Sequence, residues 1–297
     1  MIRSKIHAVL NFAIMVCGLT FAFGSVPSFA QSSAPSNQQP PQPTAGDSDD
    51  LINADRPGIA DGSTVIGPKR IQIESGVQAE FRRNADSREH TLFVATLLRI
   101  GIDSNWEARV EGNTFNRVTT ITPGLPDTRS SGIGPLSFGF KYHFQDSKGI
   151  RHPSLGAIVR VFPSWGSGDF ATHHVTGDVR LAADWDFAPK LSLNPNVGIG
   201  RYEDDRGRTF TAAIVAATLN YLPTKRINPF IDMGLQAPEQ TAGKTSVIFD
   251  AGIAYILGRN LQLDASAGTG AHGATPPHPF ISFGISYRIG LARQTRP

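Results

Sequence analysis

Charged side chains recur at every second residue along much of this chain, and that spacing limits what chemistry they could do. Glu74, Glu80 and Arg82 share one parity, as do Glu107, Arg109 and Glu111, then Lys141 and His143, then Asp178, Arg180 and Asp184. Arg99, Arg160, Asp232, Asp250, Asp264 and Arg288 sit at matching positions of their own segments. Cations and anions alternate in these sets. Mixed signs suit paired networks or the wall of a polar passage, not a single-sign selectivity ring. Other chemistry is poorly served. His173-His174 lies in a Gly/Ser-rich stretch beside Asp169, but a metal centre needs more ligands at fixed spacing, so these read as loop histidines. Ser137 and His143 are six residues apart on one extended segment, too far for the hydrogen bond of a nucleophile and its base. Gly198-Ile199-Gly200 lacks the strand–turn–helix setting of a phosphate loop. The expectation is no catalytic residue, no enzyme, no metal and no cofactor.

The segments that carry these charges alternate with period two. From Ile71 to Phe81 the odd positions are Ile, Ile, Ser, Val, Ala and Phe, and the even ones are Gln, Glu, Gly, Gln and Glu. That is a strand with different surroundings on its two faces. The pattern returns over 136–144, 178–186, 261–268 and 281–289, and more weakly near 91–102, 106–114, 153–162, 191–202, 209–221, 227–236 and 245–256. Twelve strands are expected. Many run ten residues or more, whereas soluble strands are usually about five or six and a tilted membrane strand needs about nine to eleven.

The connections also alternate. Asp103-Ser104-Asn105, Ala188-Pro189, Pro223-Thr224-Lys225 and Gly258-Arg259 are tight, and the stretches 118–131, 163–174, 237–244 and 270–278 read as longer loops. Short periplasmic turns and long outer loops give that rhythm. Trp106, Tyr142, Phe144, Trp185, Tyr255 and Tyr287 stand near strand ends, where amphipathic rings meet a bilayer interface. The fold class is therefore all-β: a closed antiparallel transmembrane barrel of about 12 strands. A soluble periplasmic sandwich is the competing fold, and it would need a second sheet to cover Phe138, Phe140, Phe283 and Ile285.

Composition agrees. The 297 residues carry 28 Lys+Arg against 25 Asp+Glu. Arg3 and Lys5 fall in a segment that reads as an export signal, and without them the excess of cations is one. No basic field remains for nucleic acid. Mean hydropathy is −0.16, which excludes a bundle of membrane helices. Residues 1–30 read as a signal peptide: two cations, an uncharged apolar run from Ala8 to Gly24, and Ser28-Phe29-Ala30 as the cleavage site. The single cysteine, Cys17, lies in that run, so the exported part uses no disulfide. Residues 31–50 form a Pro/Gln/Ser-rich leader with too little apolar surface to order. Residues 51–69 form an N-terminal periplasmic or lumen-inserted segment, 70–290 the barrel and 291–297 a C-terminal tail.

Short motifs carry a resemblance across the mature chain. They are Asp55-Arg56-Pro57, Gln72-Ile73-Glu74-Ser75-Gly76, Leu98-Arg99-Ile100-Gly101-Ile102, Glu107-Ala108-Arg109, Ser131-Gly132-Ile133-Gly134, Gly139-Phe140-Lys141-Tyr142 and Phe162-Pro163 after a strand that opens at Pro153. Further on come Pro229-Phe230-Ile231-Asp232, Gln262-Leu263-Asp264 and Gly284-Ile285-Ser286-Tyr287-Arg288. Each is weak alone. In this order, from about Asp55 to Ile289, they resemble the bacterial outer-membrane family described as "putative MetA-pathway of phenol degradation". The resemblance implies an outer-membrane barrel and uptake of small, aromatic or apolar compounds. Pro135 stands where the family tends to have Asp, which removes a lumen carboxylate, and Asp232 stands where Glu is common. The chain ends GLARQTRP beyond the last strand, not on the terminal aromatic that the barrel-assembly machinery reads; Tyr287 or Phe283 would have to serve.

Glu74, Arg99, Glu107, Arg109, Lys141, Arg160, Asp232, Asp264 and Arg288 are accordingly the expected lumen-lining residues. They either line a transport pathway or brace the barrel as ion pairs. Placing Arg or Lys in lipid near the midplane would cost about 2–4 kcal/mol. Asp55, Arg56 and Pro57 are expected to plug the lumen or cap its periplasmic mouth. The expected partners are outer-membrane lipid, a small-molecule solute and the assembly machinery. Passive passage is the expected function, with a closed structural or adhesive barrel, and a soluble binding sandwich, as alternatives.

Overall fold

The computed structural model describes residues 50–204, 206–272 and 278–290. The expected signal peptide, the leader up to residue 49 and the C-terminal tail lie outside the described residues.

The strands are β1 (Arg70–Arg83), β2 (Arg88–Gly101), β3 (Trp106–Ile121), β4 (Thr128–Gly132), β5 (Leu136–Gln145), β6 (Ser154–Phe162), β7 (Thr176–Ala188), β8 (Leu191–Glu203), β9 (Thr209–Tyr221), β10 (Ile227–Ala237), β11 (Ser246–Ile256), β12 (Leu261–His272) and β13 (His278–Gly290). All pairings are antiparallel. β1 pairs with both β2 and β13, which closes a wall of twelve long strands, and β4 pairs only with the outer half of β3. Closure pairs every strand of the twelve-stranded wall on both sides, and β4 alone carries an unpaired edge. Among the described residues the one helical element is a single 3-10 turn, Gly168–Phe170.

Alternation places the greasy face outside. Phe283 is 63% exposed and Phe138 53%, whereas Arg99 is 1% exposed and Lys141 0%. The described strands form one closed sheet and none of them covers the apolar face, so the sandwich alternative falls. At the end where β1 begins, four of the five connections are short (102–105, 189–190, 222–226 and 257–260) and 146–153 is longer, the pattern of a periplasmic end. Trp106, Tyr142, Trp185, Tyr221, Tyr255 and Tyr287 all project outward near it, and Trp106 stacks on Tyr142 at 4.4 Å between ring centres.

One expectation needs correction. The stretch 118–131 reads as a loop in the sequence, but β3 continues to Ile121 and returns as β4. The cause is a β-bulge. β3 slips one residue against β2, where Val94 faces Phe115 but Ala95 faces Asn113. The extra residue reverses which parity points outward. Trp106, Ala108 and Val110 are outward below the bulge, and Phe115, Arg117 and Thr119 above it.

Candidate functional site

The lumen holds residues 50–66, an irregular segment that precedes β1. Irregular backbone inside a barrel must have its polar groups satisfied by protein, and wall side chains from most of the circumference do this. Glu74 on β1 accepts the backbone N–H of Arg56 at 2.8 Å. Asp232 on β10 accepts that of Ile59 at 3.0 Å, and Glu107 on β3 that of Ile66 at 3.0 Å. Asn196 on β8 holds Asp61 from both sides: its Oδ1 accepts the N–H and its Nδ2 donates to the carbonyl, each at 2.8 Å. Asp184 on β7 takes both the N–H and the hydroxyl of Ser63. Gln262 on β12 donates to the Arg56 carbonyl, and Arg288 on β13 to that of Asp50.

Asp55 is the electrostatic centre. Its carboxylate lies 2.5 Å from Arg109 Nη1, 2.8 Å from Lys141 Nζ and 3.6 Å from Arg99 Nη1. Arg99 also forks onto Glu107, with both contacts at 2.9 Å, and touches Glu74 at 3.2 Å. Burial pushes the Asp55 carboxyl up, but Arg99, Lys141 and Arg109 outweigh it and hold the group well below the usual carboxylate range. Asp61 behaves alike: burial raises it, and Arg109, with Lys141 and Arg180 beyond, brings it below its ordinary value.

Arg56 reaches the opposite wall, 3.0 Å from Asp264 and 3.2 Å from the Ser282 hydroxyl. The space it fills exists because Gly76 and Gly284 face each other across the β1–β13 pair. A Cβ at Gly284 would stand 2.5 Å from Arg56 Nε, and one at Gly76 would run into the guanidinium.

The expected site residues thus fall into four groups. Glu74, Arg99, Glu107, Arg109 and Lys141 converge on Asp55. Asp232 and Asp264 receive the segment from the far side. Arg160 lies apart, on Glu111 and Asp178. Arg288 stands at the periplasmic rim, on Asp50 and Asn260. Pro57 lines a cavity of about 250 Å³ between the segment and the wall of β8–β10.

That cavity is bounded by residues a charge-led reading overlooks. Asn228 donates to Asn220, which donates to Asn194, which donates to Asp184. Ser192 and Thr218 complete the lining. A second cavity of about 330 Å³ lies toward β2, β3 and β6, beside Leu97, Glu111, Asn113 and Phe162. Arg56 is the one residue that lines both. Among the described residues no cluster of three or more His, Cys, Asp or Glu side chains could hold a metal ion. His173 and His174 both rest on Glu203 through Nδ1.

A closed twelve-stranded wall, apolar outside and ionic within, defines a transmembrane β-barrel of the outer-membrane kind. The chain belongs to the family described as "Putative MetA-pathway of phenol degradation", whose model matches residues 54–289. Its fold is similar to that of an outer-membrane channel from Pseudomonas putida F1, with TM-score 0.61, 12% identity, and coverage of 76% of this chain and 98% of that one. It is also similar to the translocator domain of the autotransporter NalP from Neisseria meningitidis, with TM-score 0.50, 11% identity, and coverage of 73% and 87%. At these identities the likeness concerns the fold. No curated protein matches the chain.

Proposed function

We propose that this barrel is an outer-membrane channel for passive passage of a small compound, and that residues 50–66 are its internal gate. The observation that carries this reading is the position of Arg56. It belongs to the inserted segment, reaches across to Asp264, and lines both lumen cavities. A solute moving from one cavity to the other must pass its guanidinium. No energy source or cofactor enters the mechanism: diffusion supplies the transport, and the wall charges hold the segment and set the polarity of the path. The residues in this reading bind and orient; none performs bond chemistry, so we assign no enzyme activity.

For the solute, the family description favours a small aromatic compound. The cavity beside Pro57 suits one, since Phe230 and Leu222 offer apolar surface next to amide and hydroxyl groups. Export through a cleavable signal at 1–30 and recognition by the assembly machinery through Tyr287 or Phe283 belong to the same proposal. A closed structural barrel is the second reading, favoured by how completely wall side chains satisfy the segment's backbone.

Liposome swelling with phenolic and sugar solutes separates the two. A channel swells faster with phenols than with sugars, and faster still when residues 55–66 are deleted. No swelling from either protein would leave the structural barrel.

A further inference from the structure

Four arginines stand on the outward face of the barrel with no anion to meet them. They are Arg83 at the end of β1, Arg88 at the start of β2, Arg117 on β3 and Arg129 on β4, all exposed. Register brings them together: Arg83 lies directly opposite Arg88, and Arg129 pairs with Thr119, two residues beyond Arg117. Neighbouring strands are about 4.8 Å apart, so the four share one patch. Like charges directly opposite each other destabilise a sheet. Among the described residues none of the four forms an ion pair. Nearby Arg82 faces inward and is paired with Glu89 at 3.6 Å. The turn acids Asp86 and Asp127 make no ion pair with the patch, and Arg117 rests only over the Phe115 ring, at 5.6 Å.

The height of the patch selects its partner. Ile73 is the register partner of Tyr287 in the periplasmic aromatic girdle, and Arg83 lies ten residues further along β1. Arg117 lies eleven residues along β3 from Trp106. A tilted strand crosses hydrocarbon in about nine to eleven residues, so these arginines sit where the outer leaflet's headgroups begin. Two residues below Arg83 and Arg117 the same face turns apolar, with Phe81 and Phe115, and Leu92 lies beside Arg117. A cationic row above an apolar row fits an amphiphile, not a soluble anion.

We propose that this patch on β1–β4 binds the phosphates of an outer-leaflet glycolipid, with guanidinium forks on the phosphate oxygens and acyl chains against Phe81 and Leu92. The site lies on the outer wall and is independent of the channel reading.

The test is retention of diphosphoryl lipid A, its monophosphoryl form or inorganic phosphate by the detergent-purified barrel, read by native mass spectrometry. The wild type should hold the diphosphoryl lipid at least ten-fold better than the variant R83Q/R88Q/R117Q/R129Q, with the monophosphoryl form between and inorganic phosphate not retained. The charge-preserving R83K/R88K/R117K/R129K should keep most of the binding. R201Q/R206Q, which removes cations of the same end on β8 and its loop, should bind like the wild type. Heat-modifiable migration checks that each barrel is folded; should the quadruple glutamine variant fail that check, R83Q/R88Q carries the test with an expected loss of several-fold. Equal retention by the glutamine variant, an equal loss in R201Q/R206Q, or retention of inorganic phosphate as strong as that of the lipid would overturn the proposal.

Discussion

The lumen has two unlike walls. On one side β1, β2, β3 and β5 present Glu74, Arg99, Glu107, Arg109 and Lys141, all buried and all engaged with the inserted segment. On the other, β8, β9 and β10 present Ser192, Asn194, Thr218, Asn220 and Asn228, neutral groups around a cavity, while Asn196 and Asp232 reach the segment beside it. The first wall grips through ion pairs, and the second leaves room beside its fewer contacts. A buried ion network tolerates no missing member, because each loss strands a charge in a medium that cannot solvate it. A chain of amides beside a polar cavity can exchange a partner for water at little cost. The segment is therefore held most densely by the ion network and has space beside it where the amide chain lines the cavity.

The sharpest way to break this contrast is at its centre. Asp55→Asn leaves Arg99, Arg109 and Lys141 without their shared anion and should loosen the segment by about 3–5 kcal/mol, the usual cost of removing one partner of a buried pair. Single-channel conductance in planar bilayers should rise to the level of the 55–66 deletion. Conductance unchanged from the wild type would mean that the charged wall does not hold the gate.

Arg56→Ala should come next. It removes one charge-assisted contact to Asp264, worth about 1.5–3 kcal/mol, and clears the only side chain common to both cavities. The expected result is a several-fold gain in conductance with the segment still seated, so that protection of residues 57–66 from protease is unchanged. Asn220→Ala tests the neutral wall and should matter least of the three. Thermal stability should fall by about 1 kcal/mol, with conductance within two-fold of wild type. A large gain there would erase the distinction between the walls.

Which parts of this were legible in the sequence follows from what periodicity can report. Strict alternation from Ile71 to Phe81, or from Ile281 to Ile289, exposes both the strand and its two faces, so the barrel and the inward direction of Glu74, Arg99 and Lys141 could be read directly. The outer half of β3 could not, since one extra residue near Thr114 reverses the parity and the pattern dissolves into an apparent loop. The segment 50–66 has no period at all. Asp55 and Arg56 stand out by charge, yet their partners are 54 and 208 residues away, and backbone groups that bind Asn196 or Asp184 leave no trace in side-chain type. The amide chain was hidden for another reason: Asn194, Asn220 and Asn228 do lie on inward positions, but a search led by charge passes over neutral donors. Gly76 and Gly284 were a usable signal, two inward glycines on strands that meet, marking where something bulky enters.

Acid probes the charged wall without any substitution. The charged wall enters the pH response of the gate through Asp55 and Asp61, the segment's own carboxylates. Both carboxyls lie below their ordinary values in the seated segment, whereas a released segment returns them to about 3.9. A group whose bound pKa is depressed contributes stability that is fully present above the free value and is lost only as pH falls through the bound one. Between pH 7 and about 4.5 both forms of these two carboxyls are ionised, so they contribute no change in conductance there. Below about pH 4 the released form begins to take up protons that the seated form refuses, so opening becomes progressively easier as acid is added. In Asp55→Asn that acid response should shrink to what Asp61 supplies. A wild-type channel that opens already between pH 7 and 5 would place the controlling group elsewhere, and the charged wall would lose its claim to be the latch.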